Sequence, residues 1–174
     1  MKVIITHGDI LAVPAEVLIC SANIGLRLSG GVGGAIRIKF GNAVADGIQA
    51  ELDHYLQSRG IAHANQGDVI PTSGGGSPFR TILHAIAVDG IYDSSVPIVR
   101  KTVGTALSLA KANRVALTAL ATGYGHLSIK QFGQAIASLF REEYPPVNTV
   151  TICVRHESDA QELTQMLSDF GYPH

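Results

Sequence analysis

Short apolar runs alternate with longer stretches of helical spacing along the whole 174-residue chain. The apolar runs cover residues 3–6, 17–21, 69–72, 81–88, 115–121 and 149–154, and the helical stretches cover residues 34–40, 42–59, 96–113, 128–143 and 159–170. Strands that are apolar nearly throughout are typical of sheets buried on both faces. The alternation therefore predicts an α/β fold, a three-layer α/β/α sandwich around a central mixed, mostly parallel sheet of about six strands.

The length of the chain fits one domain, and we expect residues 1–174 to form it, because the sequence contains no repeat, linker or low-complexity tract. Cys20 and Cys153 lie inside apolar runs without Cys or His at metal-ligand spacing. This pattern indicates buried reduced thiols and favours a cytoplasmic protein. Met1 opens directly onto a strand-like run, and no stretch reaches the ~20 apolar residues of a membrane span, so we expect no export signal and no membrane contact.

The charge balance excludes binding that depends on a long-range field. There are 13 Lys and Arg residues against 14 Asp and Glu residues, a net charge of −1. A surface of this kind does not collect nucleic acid unspecifically, so an anionic ligand must be held by a few local groups. The histidines show no paired spacing on one helical face, and we assign neither a metal nor a cofactor.

Two glycine-rich loops each follow a strand-like run and each precede a helical stretch. The first is Gly30-Gly31-Val32-Gly33-Gly34, and the second is Thr122-Gly123-Tyr124-Gly125-His126. Glycine lets main-chain amides approach a ligand closely, and the helix that follows adds its free N–H groups and positive end. Two such loops suit a diphosphate if they face each other. Alternatively, the glycines only close strand-to-helix turns. The loops alone do not decide between this structural role and phosphate binding.

The standard phosphate-binding motifs are missing. The first loop does not satisfy G-x-G-x-x-G, because Ile36 stands three residues after Gly33, and no G-x-x-x-x-G-K-[ST] motif occurs in the chain. Dinucleotide dehydrogenases and P-loop NTPases are therefore disfavoured.

Several short motifs occur in one order along residues 3 to about 145. They are Gly8-Asp9-Ile10, Cys20-Ser21-Ala22-Asn23, the first glycine loop with Ala35-Ile36, Thr72-Ser73-Gly74, Ile82-Leu83-His84-Ala85, and the run LATGYGHL. In this order the chain resembles the macro domain family. The resemblance implies binding of ADP-ribose, or of an ADP-ribosylated macromolecule, in a cleft between the two glycine loops.

The resemblance also assigns roles to individual residues. It implies that Asp9 accepts a hydrogen bond from the adenine amino group and that the Ile10 amide meets a ring nitrogen, although an aspartate before a turn is often a helix N-cap. It places Asn23 against the distal ribose, although asparagine is also common in loops after strands. Arg155 stands where relatives carry an aromatic residue, and its guanidinium plane suits stacking on adenine unless it is only a solvated strand end.

The two loops receive the phosphates by the same resemblance. The amides are those of Gly30, Gly31, Val32 and Gly33 in the first loop and of Thr122, Gly123, Tyr124, Gly125 and His126 in the second. The Tyr124 ring is expected to cover the diphosphate or the distal ribose.

Hydrolysis is a separate question, because family members divide into ADP-ribose readers and hydrolases. The hydrolase branches carry an aspartate in one of the two loops, at the positions of Gly33 and Gly125 here. Asn23 and His126 remain as candidate catalytic residues, His126 as a general base, and attack assisted by a substrate phosphate needs no carboxylate. The open alternatives are an ADP-ribosyl hydrolase, including an ADP-ribose 1''-phosphate phosphatase, and an inactive reader or interaction module for another adenine nucleotide.

Overall fold

The computed structural model describes residues 1–171, so residues 172–174 of the predicted domain lie outside the described residues. The strands are β1 (Lys2–His7), β2 (Val17–Ser21), β3 (Val69–Ser73), β4 (Thr81–Ala85), β5 (Arg114–Thr118) and β6 (Thr149–Val154). The α-helices are α1 (Gly31–Phe40), α2 (Asn42–Arg59), α3 (Val96–Leu109), α4 (Ile129–Ala137) and α5 (Glu157–Asp169), with 3-10 turns at Ile10–Ala12 and Leu139–Arg141. None of the described helices combines the length and the apolar character needed to cross a bilayer.

The strands form one sheet in the order β1-β6-β5-β2-β4-β3. Every neighbouring pair is parallel except β3 and β4, which are antiparallel. The predicted mixed, mostly parallel sheet of six strands is confirmed. Because β1, β6, β5, β2 and β4 run in one direction, their carboxyl ends open on the same edge of the sheet, where α/β proteins place their ligands.

Apolar side chains from both faces of the sheet are buried under helices. On one face Ile19 and Leu117 pack with residues of α3, α4 and α5, and on the other Leu18 packs with residues of α1 and α2. Helix α2 buries Ala45, Ile48, Leu52 and Leu56, a spacing of three to four residues that keeps one stripe against the sheet. Burial of each large side chain contributes roughly 1.5–3 kcal/mol to stability. Helices cover both faces of the sheet, and the predicted three-layer arrangement is confirmed.

Strands β4 and β5 end earlier than the apolar runs predicted. The run 81–88 pairs only as far as Ala85, because β2 ends opposite it at Ser21. The run 115–121 pairs only as far as Thr118, which lies opposite Cys153 of β6. The residues beyond these ends are still buried, with Ile86 and Leu120 fully enclosed. Their apolar character therefore reflects burial in the segments that leave the sheet, and these segments help to build the wall of the cleft described below.

Three helix boundaries differ from the prediction by three residues or more. Helix α1 begins at Gly31 and not at residue 34, so most of the first glycine loop is the first helical turn. Helix α3 ends at Leu109 and not at residue 113, since Asn113 already accepts hydrogen bonds from the amides of Asn148 and Thr149 at the start of β6. Helix α4 ends at Ala137 and not at residue 143, and the 3-10 turn that follows buries two consecutive apolar residues.

Candidate functional site

A cleft of about 940 Å³ opens at the carboxyl edge of the parallel strands. Its walls come from the segments that follow β1, β2, β4, β5 and β6 and from the first turn of α1. Its volume lies in the range of small-molecule sites, about 300–1,000 Å³. The predicted residues that line it are Asp9, Ile10, Asn23, Gly30, Gly31, Val32, Gly33, Thr122, Gly123, Tyr124, Gly125 and Arg155.

The first turn of α1 carries amide groups without partners. Gly30 is the N-cap, its backbone is extended, and no side chain caps the helix. The first helical amide with a partner is that of Gly34, which donates to the Gly30 carbonyl. Within the described part of the chain, the amides of Gly31, Val32 and Gly33 have no acceptor. Since these residues line the cleft, the positive end of α1 and its free donors are available to an anion there.

The turn after β5 supplies a second set of free amides. It is closed by the Leu127 amide, which donates to the Ala121 carbonyl at 3.2 Å, and by the Thr122 hydroxyl, which donates to the Ala119 carbonyl at 2.8 Å. Across residues 1–171 no acceptor faces the amides of Gly123, Tyr124 or Gly125. The following helix α4 is capped by Ser128 and Gln131, so its own first turn is already partly satisfied.

The two turns meet across the cleft. A Cβ atom built on Gly30 would lie 3.6 Å from the hydroxyl oxygen of Tyr124. The Tyr124 ring is 70% exposed, and therefore it forms part of the rim and does not fill the cleft. Free amides from α1 and from the turn after β5 thus converge on one space.

Asp9 lies at the β1 end of the cleft and has two partners. Its Oδ1 caps the turn Ile10–Ala12 by accepting from the Leu11 amide at 2.9 Å, and its Oδ2 accepts from Lys39 Nζ, in the last turn of α1, at 2.5 Å. The hydrogen bond from Lys39 holds the pKa of this carboxyl below its usual value, so the group is ionised at neutral pH. The adjacent Ile10 amide has no acceptor among the described residues. The Asp9 carboxylate, an acceptor, therefore lies next to the Ile10 amide, a free donor.

Asn23 closes the loop in which it lies. Its Nδ2 donates to the Arg27 carbonyl at 3.0 Å, and its Oδ1 accepts from the Arg27 amide at 3.2 Å. Asn23 therefore stabilises the loop after β2, the alternative role that its residue type suggested. One N–H and one lone pair of the side-chain amide stay unused by these bonds, and the residue lines the cleft.

Comparison with known proteins gives the family. A profile described as the macro domain matches residues 19–136, more than half of the chain. The chain belongs to the macro domain family. An uncharacterised protein of Sulfolobus acidocaldarius is 31% identical to this macro domain over 151 residues, which are 84% of the chain and 78% of that relative.

Solved structures share the fold. The Oceanobacillus iheyensis macrodomain with ADP superposes with a TM-score of 0.79 at 21% identity, covering 95% of this chain and 89% of that one. The Trypanosoma brucei macrodomain in complex with ADP-ribose gives a TM-score of 0.74 at 17% identity, covering 94% of this chain and 68% of that one.

A side chain at Gly33 or at Gly125, where the family resemblance places the aspartates of hydrolases, would collide with the neighbouring backbone. A Cβ on Gly33 would lie 2.9 Å from the Cα of Leu28, and a Cβ on Gly125 would lie 2.2 Å from the carbonyl oxygen of Ala121. Both distances are too short for a side chain unless the backbone moves. Among the described residues, the carboxylates that line the cleft are Asp9 and Asp159, both at its β1 and β6 end.

His126 is the predicted residue that the structure does not bring into the cleft. It is exposed, and it does not line the cleft although Gly125 and Leu127 on either side do. The hydrogen bond between Leu127 and Ala121 closes the turn and leaves the imidazole on the solvent side. A general base at this position would therefore act from outside the cleft.

Arg155 and His156 follow β6 and are both exposed on the wall of the cleft. Within residues 1–171 the Arg155 guanidinium forms no ion pair. It is therefore free to stack on a planar group that enters beside Asp9.

Tyr92 and His84 also line the cleft, and no motif in the sequence predicted a role for either of them there. Tyr92 has a positive φ of 65° and contacts Tyr124, with ring centroids 5.9 Å apart. An aromatic residue within a Gly- and Asp-rich segment after a strand is the signal that could have indicated it.

His84 lies in the apolar strand β4 and is only 1% exposed. Its Nε2 lies 3.0 Å from the Thr72 hydroxyl, and burial lowers its pKa to about 4, against the opposing effect of Glu51. It is therefore neutral at neutral pH, on the floor of the cleft.

Proposed function

We propose that this macro domain binds ADP-ribose, or an ADP-ribosyl group carried by a larger molecule, in the cleft. The observation that carries the proposal is the meeting of two sets of free amides, one from the first turn of α1 and one from residues 123–125. Main-chain donors on two sides and one helix dipole suit a ligand with two adjacent phosphates. The complexes of the Oceanobacillus iheyensis and Trypanosoma brucei macrodomains with ADP and ADP-ribose support this choice of ligand.

The order of the strands supports one orientation of the ligand. From β1 to β2 the edge crosses three strand spacings, about 14 Å, and so it favours a ligand with two distinct ends. Adenine belongs at the β1 and β6 end, where the Asp9 carboxylate accepts from its amino group and Arg155 stacks on its plane. The distal ribose then lies at the β2 end, beside Asn23 and under the rings of Tyr92 and Tyr124.

We infer a reader and not a hydrolase that uses a carboxylate base. At the β2 end, where the anomeric carbon would lie, no carboxylate lines the described cleft. General acid–base assistance is typically worth ~10² to 10⁴ in rate, and no carboxylate is in place to supply it at this end of the cleft. The close contacts at Gly33 and Gly125 support this inference, because the backbone there leaves no space for a carboxylate side chain.

Calorimetry tests binding directly. Titration of the protein with ADP-ribose is expected to give saturable binding of one ligand per chain, tighter than the binding of AMP, which lacks the second phosphate and the distal ribose. Absence of heat at millimolar ADP-ribose would contradict the proposal. Tighter binding of another adenine nucleotide than of ADP-ribose would favour an interaction module for that nucleotide.

Turnover is tested separately. The protein is incubated with an ADP-ribosyl ester, ADP-ribose 1''-phosphate and an ADP-ribosylated nucleic-acid end, and release is compared with that in buffer. We expect release at the buffer rate while ADP-ribose still binds. Release well above that rate would overturn the reader assignment without touching the binding proposal.

We further propose that residues 1–174 form one macro domain of the cytoplasm. Cys20 and Cys153 are both free and buried, and burial raises the pKa of Cys20 to about 12, which keeps its thiol protonated. Free buried thiols are usual in reducing compartments. Fractionation of cells that produce the protein would test the location.

A further inference from the structure

Two amide side chains hold the loop between β2 and α1 from opposite sides. Asn23 binds both backbone groups of Arg27, as described above. Gln49, on α2, accepts from the Leu28 amide and donates to the Leu26 carbonyl, both at 3.0 Å. Three consecutive residues, 26–28, therefore have their backbone bound by side chains, and all three line the cleft.

The loop needs this support because its conformation is unfavourable by itself. Leu26 has a φ of 54°, in the left-handed region that leucine rarely adopts. Its side chain is 1% exposed and packs in the core under α1 and α2. Burial of the side chain and the bond from Gln49 to the Leu26 carbonyl together hold this backbone in place.

The same loop is seated directly against α1. The Cα of Leu28 lies 2.9 Å from the position of a Cβ on Gly33, and no other residue type fits so close an approach. Gln49 binds the amide of Leu28, and Asn23 binds the backbone of the preceding residue, Arg27. Leu28 also contacts the first turn of α1. Gln49 is connected through the loop to Asn23 without touching the ligand space itself, since it does not line the cleft.

We propose that Gln49 is a positioning residue for the distal-ribose end of the cleft, an inference that rests on the proposed function. By holding residues 26–28 on α2, it keeps the loop in the position in which the unused N–H and lone pair of Asn23 can meet hydroxyls of the ribose. Asp53 fixes Gln49 in turn, because its Oδ1 accepts from Gln49 Nε2 at 3.0 Å and from Arg27 Nη1 at 3.1 Å.

Only an amide of this length can accept from the Leu28 amide and donate to both the Leu26 carbonyl and the Asp53 carboxylate. Methionine keeps the length and volume of Gln49 but leaves the Leu26 carbonyl and the Leu28 amide without their partner. Glutamate keeps the acceptor for Leu28 and places a negative charge beside the Leu26 carbonyl and the Asp53 carboxylate. The ligand-selectivity effect of Gln49→Glu is therefore expected to be at least as large as that of Gln49→Met.

The test compares ADP-ribose with ADP, which lacks the distal ribose. Calorimetry is done on the wild type, on Gln49→Met and Gln49→Glu, and on the control Gln165→Met. The Gln165 side chain donates in the same way to an aspartate four residues later, and it does not line the cleft. We expect Gln49→Met to weaken ADP-ribose binding about tenfold and ADP binding less than about twofold. Gln165→Met is expected to change neither.

The outcomes separate the two proposals. If the wild type binds neither ligand, the proposed function fails. If the wild type binds ADP-ribose and both Gln49 variants keep the wild-type ratio of the two affinities, or lose both affinities equally, the positioning role is wrong. Should Gln49→Met fail to fold, the ratio of the ADP-ribose and ADP affinities of Gln49→Glu decides whether Gln49 is a positioning residue. Position 49 is only half-buried, so it can accommodate glutamate.

A double substitution tests whether Gln49 acts through Asn23. Asn23→Ala is expected to lower the preference for ADP-ribose over ADP, and Gln49→Met in that background is expected to lower it no further. Full additivity of the two effects on this preference would show that they act independently and would overturn the proposal.

Discussion

The hydroxyl of Tyr124 stands 3.6 Å from the place where Gly30 would carry a Cβ atom. The Gly30 backbone is extended, with φ −154° and ψ −179°, so any residue could adopt this conformation. What glycine contributes at this position is space. The first turn of α1 and the turn after β5 approach each other there, and free amides of both turns line the same cleft.

Tyr124→Ala is expected to weaken ADP-ribose binding while it leaves the fold unchanged. The ring is 70% exposed, so the free energy of unfolding should change by less than about 0.5 kcal/mol. Loss of its cover over the ligand should cost about 1 kcal/mol of binding, roughly fivefold in Kd. Tyr124→Phe keeps the ring and should retain most of the affinity. Calorimetry and urea unfolding of both variants check this, and equal affinities of Tyr124→Ala and the wild type would contradict it.

Gly125→Ala is expected to destabilise the protein and to disturb the turn. Its new methyl would meet the Ala121 carbonyl oxygen at 2.2 Å, so the backbone must move at a cost of about 1–3 kcal/mol. Gly123→Ala is the matched control, since nothing lies within 4 Å of its Cβ position. Urea unfolding and ADP-ribose titration of the two variants give the comparison. Similar behaviour of both variants would show that the turn is not restricted to glycine at position 125.

Asp9 is expected to select adenine over hypoxanthine. A carboxylate accepts from the adenine amino group but meets a carbonyl oxygen on hypoxanthine, so the wild type should bind ADP-ribose more tightly than inosine diphosphate ribose by about 1–3 kcal/mol. Asp9→Asn can donate and should narrow this difference or reverse it. Asp46→Asn, which makes the same change of charge at a carboxylate that binds Arg37 outside the cleft, is the control. An unchanged preference in Asp9→Asn would place adenine elsewhere.

His84 is expected to make stability depend on pH between about 4 and 6.5. In the unfolded chain the imidazole has its usual pKa of 6.5, and burial lowers the folded pKa to about 4. Between these values the unfolded state binds more protons, so stability falls as the pH falls, by up to about 3 kcal/mol. His84→Gln should flatten this part of the urea-unfolding profile, and the exposed His54→Gln should not. Parallel profiles for His84→Gln and the wild type would contradict the neutral buried state.

The fold could be predicted where apolar runs end at polar residues or breakers. The limits of β2, β6 and α2 agree with the sequence patterns, because local spacing decides them. The ends of β4 and β5 depend on where neighbouring strands stop pairing, and a single run carries no information about its partners.

The site divides in the same way. The glycine loops and Asp9 are visible as motifs because they are continuous in sequence. The bond of Lys39 to Asp9 spans 30 residues, and those of Gln49 to Leu26 and Leu28 span more than 20, so only the folded chain reveals them. The direction in which His126 points depends on how a turn closes, and the residue types do not determine that.

Amide chemical shifts report whether the free amides of the two turns hold a diphosphate. In a ¹⁵N-labelled sample titrated with ADP-ribose, the amides of Gly31, Val32 and Gly33 and those of Gly123, Tyr124 and Gly125 are expected to show the largest shifts, in both sets together and with one affinity. Shifts confined to one of the two turns, or found only elsewhere on the protein, would contradict it.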